Sequence, residues 1–275
     1  MSIHAINANN ETEAKRVDKS TLDTLKNRCL EYMNVDSIQL HFNSKFANQV
    51  NGTTSDVEFY LPLIEIPSQH YIYLSLQSAF IPYSFYNVDN TNNTLTILID
   101  GAVKTFKIPV GNYNAFQLQT TLNTFIVNFV FLYNIITNKF TISFSTNFTI
   151  SQTSTCLKLL GIQSLFISTN NTLTSDGVVN LLNKMCICVH SNLQTGNIST
   201  NDDRYDYTII CSIPVNVQPY SLISYTNMSN LKSCLYTTSL SYIKFQLKDQ
   251  DGNIIDLNNC DWSCVLQLDV FKFTE

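Results

Sequence analysis

SLSYIKFQLKDQDGNIIDLNNCDWSCVLQLDVFKF, residues 239–273, carries the clearest strand pattern of the chain. Ile243, Phe245 and Leu247 alternate with Lys244, Gln246 and Lys248, the two-residue period of a strand with one wet face. Asp249, Gln250, Asp251, Gly252 and Asn253 supply residues suited to a tight reversal, and Ile254, Ile255 and Leu257 follow. Trp262, Cys264, Leu266, Leu268 and Val270 then line one face of a closing strand, against Ser263, Gln267 and Asp269 on the other. The stretch reads as a β-hairpin. So regular a final strand predicts a place in the middle of a sheet, and the fold class it implies is an all-β sandwich of two packed antiparallel sheets.

Composition narrows the function classes. Of the 275 residues, 44% are hydrophobic, enough for a sizeable core, while only 13% are charged, against roughly 25% in soluble domains generally. A surface of Asn, Ser, Thr and Tyr suits burial against other protein; AT-rich coding bias would leave the same signature. The net charge of −5 argues against a general phosphate-binding surface, so nucleic acid is not an expected partner. The polar N-terminus predicts no secretory signal, and the apolar stretch 125–136, broken by Asn128 and Asn134, is too short to cross a bilayer. Eight cysteines without such a signal are expected as free thiols in a cytosolically made protein.

Residues 1–34 stand apart. Ten charged residues of both signs lie between Glu11 and Glu31, and Ser20 is placed to cap a helix with Leu22, Leu25 and Cys29 on one face. This arm either docks on a neighbouring subunit through that face or packs on its own domain. From Val35 strand signals dominate, and 35–275 reads as one domain. Pro62 places its strand at an edge or a bend. The run from His70 sets Tyr71, Tyr73, Ser75 and Gln77 against Ile72, Leu74 and Leu76 until Pro82 ends it. Asp100-Gly101 joins a short hairpin. Asn112 or Asn114 caps a helix carrying Phe116, Leu118, Leu122 and Phe125; Thr137-Asn138 turns a second hairpin; and Gly161 stops a short helix at the left-handed position. Further strands are expected over 178–182, 184–190 and 205–213.

Catalytic signals are scarce. The seven glycines form no phosphate-cradling loop, GxSxG and HExxH are absent, and His4, His41, His70 and His190 are scattered, so no enzyme activity and no cofactor are expected. A calcium loop with Gly252 as its sixth position would begin at Leu247 and end at Asn258, without either key carboxylate. Cys186, Cys188 and His190 alternate along one strand and so face one side, as zinc ligands would, with Cys211, Cys234, Cys260 or Cys264 as a possible fourth. Met185, Ile187 and Val189 make the opposite face equally apolar, so the cysteine face reads first as core.

An ordered series of short motifs is more specific than any member. Ile81-Pro82-Tyr83-Ser84-Phe85-Tyr86-Asn87 is followed by Gly111-Asn112-Tyr113, Thr137-Asn138-Lys139-Phe140-Thr141 and Leu160-Gly161-Ile162. Ser191-Asn192-Leu193, Ile213-Pro214-Val215 and Asp251-Gly252 through Ile255-Asp256-Leu257 to Asp261-Trp262 complete it. In this order and spacing, over roughly 70–273, the chain resembles the penton (minor capsid) proteins of virophages and polinton-like viruses. The resemblance implies a single jelly roll with Greek-key connections, five copies at each icosahedral vertex, and a double jelly-roll major capsid protein as partner. It also implies assembly in the host cytoplasm and residence in the virion. Many short strands without a βαβ rhythm fit two packed Greek keys. The alternative function is a carbohydrate- or receptor-binding sandwich using exposed Tyr and Asn.

Overall fold

The computed structural model describes residues 32–273 apart from 196, 198, 202, 203, 207 and 236. The strands are β1 (Tyr32–Asn43), β2 (Asn48–Val50), β3 (Thr53–Glu65), β4 (His70–Pro82), β5 (Thr94–Ile99), β6 (Ala102–Lys107), β7 (Val130–Asn134), β8 (Lys139–Ser143) and β9 (Phe148–Ile150). They continue as β10 (Thr172–Thr174), β11 (Cys186–Ser191), β12 (Ser199–Asn201), β13 (Arg204–Asp206), β14 (Ile209–Pro214), β15 (Leu222–Thr226), β16 (Ser233–Leu235), β17 (Ser239–Lys248) and β18 (Ser263–Phe273). Two α-helices, α1 (Ala115–Phe125) and α2 (Leu157–Leu160), lie between them. The chain forms two compact units: Ser84–Met185, and the segments on either side of it.

The flanking segments build two sheets, ordered β1-β18-β4-β15, with β16 also on β4, and β14-β11-β17-β3-β2. Numbering the eight principal strands along the chain, the orders are 1-8-3-6 and 5-4-7-2. These are the two interleaved Greek keys of a jelly roll. β18 is central, as its alternation predicted: it pairs antiparallel with β1 from Ser263 to Phe273 and with β4 from Ser263 to Lys272.

The hairpin reading of 239–273 is corrected. β17 pairs with β3 and β11, whereas β18 lies in the other sheet. The reversal itself is real: Asp249 N donates to Asn253 O at 2.9 Å, Ile255 N donates to Leu247 O at 2.9 Å, and the Asp249 carboxylate accepts from the amides of Asp251 and Asn253. Ile255 and Leu257 are then fully buried, and the chain passes into the opposite sheet. Alternation reports which face a strand buries, not which strand it pairs with.

The two sheets meet through their apolar faces. Phe42 of β1 packs edge-on against Phe59 of β3 and Phe245 of β17, at centroid distances of 4.9 and 5.0 Å, and Trp262 adds an edge-to-face contact with Phe245 at 5.8 Å. Such pairs contribute about 0.5–1.5 kcal/mol beyond their burial. The indole N–H of Trp262 donates to Thr54 O at 2.6 Å, and the backbones of Ser44 and Trp262 meet at 2.9 Å. Pro62 sits where β3 extends past its pairing with β2, opposite the register shift between Leu240 and Tyr242, so its missing N–H costs no ladder bond.

Residues 84–185 have their own core of Leu95, Ile97, Leu118, Leu122, Phe131, Phe140, Ile150 and Leu160, among others. Its sheets are β6-β5-β9 and β10-β8-β7. Asn114 caps α1 in a capping box with Gln117, as expected, but only part of the expected face is buried. Leu118 and Leu122 are inside, whereas Phe116 and Phe125 are exposed. The Asp100 and Asn138 turns have positive φ, and Gly161 takes φ 72° after α2, all at the predicted positions. The expected strand over 178–182 is absent. Near the ends of this unit Lys184 pairs with Asp89 at 2.7 Å.

Candidate functional site

On β11, Ile187 and Val189 point into the core while Cys186, Cys188 and His190 occupy the other face. That face is not interior at the cysteines, which are both half-buried with their sulfurs 3.8 Å apart. Burial, with the neighbouring Cys186, pushes the Cys188 thiol up to about 11. His190 is buried, and its Nδ1 lies 3.0 Å from Thr208 Oγ1. Among the described residues no group of three or more His, Cys, Asp or Glu side chains could hold a metal, so none of Cys211, Cys234, Cys260 and Cys264 joins Cys186, Cys188 and His190 as a fourth ligand. Leu22, Leu25 and Cys29 lie outside the described residues.

Sequence reasoning missed the charge networks on the outer sheet faces. On β3 and β17, Asp56 is buried and held by Lys244 at 2.9 Å and by a 3.0 Å hydrogen bond from Gln246. Beside them the Tyr60 and Tyr242 rings stand 5.5 Å apart, and desolvation followed by the Glu58 carboxylate pushes the Tyr242 hydroxyl up to about 12. On the other sheet Asp269 is 1% exposed. Burial alone would raise its carboxyl, but hydrogen bonds from Lys232, Ser37 and Gln267 outweigh it and hold its pKa below the usual value. An acid at an outward position of an alternating strand was the available signal. The partners, Lys232 for Asp269 and Lys244 for Asp56, lie far off in sequence, and only the fold brings them in.

Exposed apolar groups gather around β15, an edge strand among the described residues. Tyr220 is 81% exposed, Met228 93% and Leu231 67%, with Leu222 on the strand itself. Tyr220 adopts φ 69°, a conformation costly for a bulky residue. Its N–H donates to Tyr83 O at 2.9 Å, and Tyr83 N–H donates to Ser221 O at 2.9 Å, which hold it there. A strand edge rimmed by apolar side chains is a surface for another chain. A second apolar surface lies within 84–185, where Leu98, Val103, Leu165, Phe166 and Ile167 line a groove of about 670 Å³. Both surfaces offer association chemistry.

No protein-family model matches this chain, and no curated protein does. Solved structures do. The mavirus penton protein is 12% identical, with a TM-score of 0.48 over 86% of this chain and 99% of that one. A chain of the Sputnik virophage structure is 13% identical, with a TM-score of 0.46 over 86% of this chain and 98% of its own.

Proposed function

We propose that this chain is a capsid protein acting by self-association: a penton subunit, five copies of which close a vertex of an icosahedral virion beside a double jelly-roll major capsid protein. The observation that carries the reading is where the penton-like motifs fall. Ile81-Pro82 ends β4, Ser191-Asn192-Leu193 leaves β11, Ile213-Pro214 ends β14, and Asp251-Gly252 through Trp262 forms the crossing from one sheet to the other. Gly111-Asn112-Tyr113 binds Asn87, Thr137-Asn138 turns β7 into β8, and Gly161 closes α2. The motifs that carry the resemblance are thus the joints of the fold.

A ring follows when one surface of a subunit meets a different surface of the next and the rotation closes. The β15 edge with Tyr220, Leu222, Met228 and Leu231 is the natural candidate for one such surface. The arm is a second contact, with Leu22, Leu25 and Cys29 on a neighbour and each buried leucine contributing about 1.5–3 kcal/mol. Electron microscopy of the purified full-length protein tests the reading. Five-fold rings, alone or after mixing with the major capsid protein, are expected; single subunits under both conditions would overturn it.

A further inference from the structure

We propose that a groove on the outer face of β4 seats the arm of the neighbouring copy in the ring, with Leu22, Leu25 and Cys29 turned into it. That placement rests on the penton reading, since it needs a ring. Tyr71 and Tyr73 stand on the face opposite the buried Ile72 and Leu74, and Tyr71 is 43% exposed. Phe271 of β18 braces the Tyr73 ring edge-on at a centroid distance of 5.4 Å, so this wall is already built. β16 pairs with β4 so that Cys234 comes opposite Tyr73 and Leu235 opposite Ile72. With His70, Thr237 and Thr238 these residues line a groove of about 870 Å³. Aromatic walls and a thiol suit leucine side chains.

Where the arm leaves the subunit decides which surface it can meet. Tyr32 pairs with Phe273, Asn34 with Phe271, and Phe271 in turn with Tyr71, so the arm departs at the groove's end of the sheet, two strands or about 10 Å away. Rotation about a five-fold axis keeps every residue at its own height along that axis. An arm crossing sideways therefore meets the next copy at the level of that copy's groove. Its own groove is the poorer target, because no Gly, Pro, Asn, Asp or Ser lies between Cys29 and Met33 to turn the chain back over its own sheet. A helix over 20–31 is about 18 Å long, enough to cross to a neighbouring subunit.

A cysteine in the arm and another in the groove make the contact directly readable. A short bismaleimide, which joins neighbouring cysteines, is applied to the full chain assembled from equal parts of light- and heavy-nitrogen copies. Mass spectrometry of the digest should find the Cys29 peptide joined to the Cys234 peptide in pairs that mix the two labels. Leu25→Asp should lower the yield of that pair by about tenfold or more, the effect of withdrawing one buried leucine. Joined peptides of a single label only would put the arm on its own subunit and overturn the proposal, as would an unchanged yield in Leu25→Asp. Rings in electron micrographs without the Cys29–Cys234 pair would overturn the groove assignment and leave the penton reading standing, whereas single subunits throughout would overturn both. The mixed-label pair is read on the unaltered chain and so does not depend on how the variant folds.

Discussion

The jelly roll and the unit between its third and fourth strands are held by different means. In the jelly roll β1, β3, β4, β17 and β18 run 10 to 13 residues and exchange hydrogen bonds along long registers. In 84–185 the strands are only three to six residues long. There polar side chains close the backbone where ladders stop. Asn123 both accepts from and donates to the backbone of Phe131, at 2.8 and 3.0 Å, and Asp176 accepts from the amides of Gln163 and Ser164 at 2.8 and 2.7 Å. Long ladders tolerate irregular loops at their ends. Short ladders require the loops themselves to be built from specific hydrogen bonds.

If that contrast is correct, each unit fails through its own core. Trp262→Ala removes the buried ring beside Phe245 together with its hydrogen bond to Thr54, and should cost about 3–5 kcal/mol. Leu122→Ala, at 1% exposure in the other core, should cost about 2–5 kcal/mol. Hydrogen exchange resolved by residue should show the first loss in β3, β17 and β18, and the second in α1 and β5. Loss of protection throughout the chain in both variants would erase the distinction.

Gly161→Ala sharpens the contrast at a single joint. Besides requiring φ 72°, a Cβ there would stand 2.6 Å from Gly177 O. The cost should exceed the roughly 1 kcal/mol of the conformational effect alone, measured as a lower denaturation midpoint at unchanged m-value. Asn114→Ala is the smallest step: losing the cap of α1 should cost about 1 kcal/mol, with faster exchange confined to the first turn of the helix.

Periodicity made most of the jelly roll legible, because a strand with one buried face must alternate. Tyr71, Tyr73, Ser75 and Gln77 are set against the buried Ile72, Leu74 and Leu76 for that reason, and the structure keeps that division except that Ser75 is itself buried, its hydroxyl accepting from the Gln77 amide. Turn chemistry was legible too, since few residues tolerate positive φ, as at Asp100, Asn138 and Gly161. β15 and β16 went unread because, at five and three residues, they are too short to show a period. The division at residues 84 and 185 left no Pro- or Gly-rich linker to mark it.

The candidate site divides in the same way. That Cys186 and Cys188 share a face follows from their spacing alone, since successive Cβ atoms on a strand alternate. That the face is the outer one, and that His190 leaves the pair for Thr208, depends on which sheet lies beneath β11. The stretch 239–273 shows the same limit. Its residues determined two strands, a tight reversal at Asp249–Asn253 and a central final strand. Whether those strands pair or part was decided by tertiary structure, because β3 and β11 compete for β17 while β1 and β4 compete for β18. Burying Phe245 and Trp262 between two sheets removes more apolar surface from water than a two-stranded hairpin could.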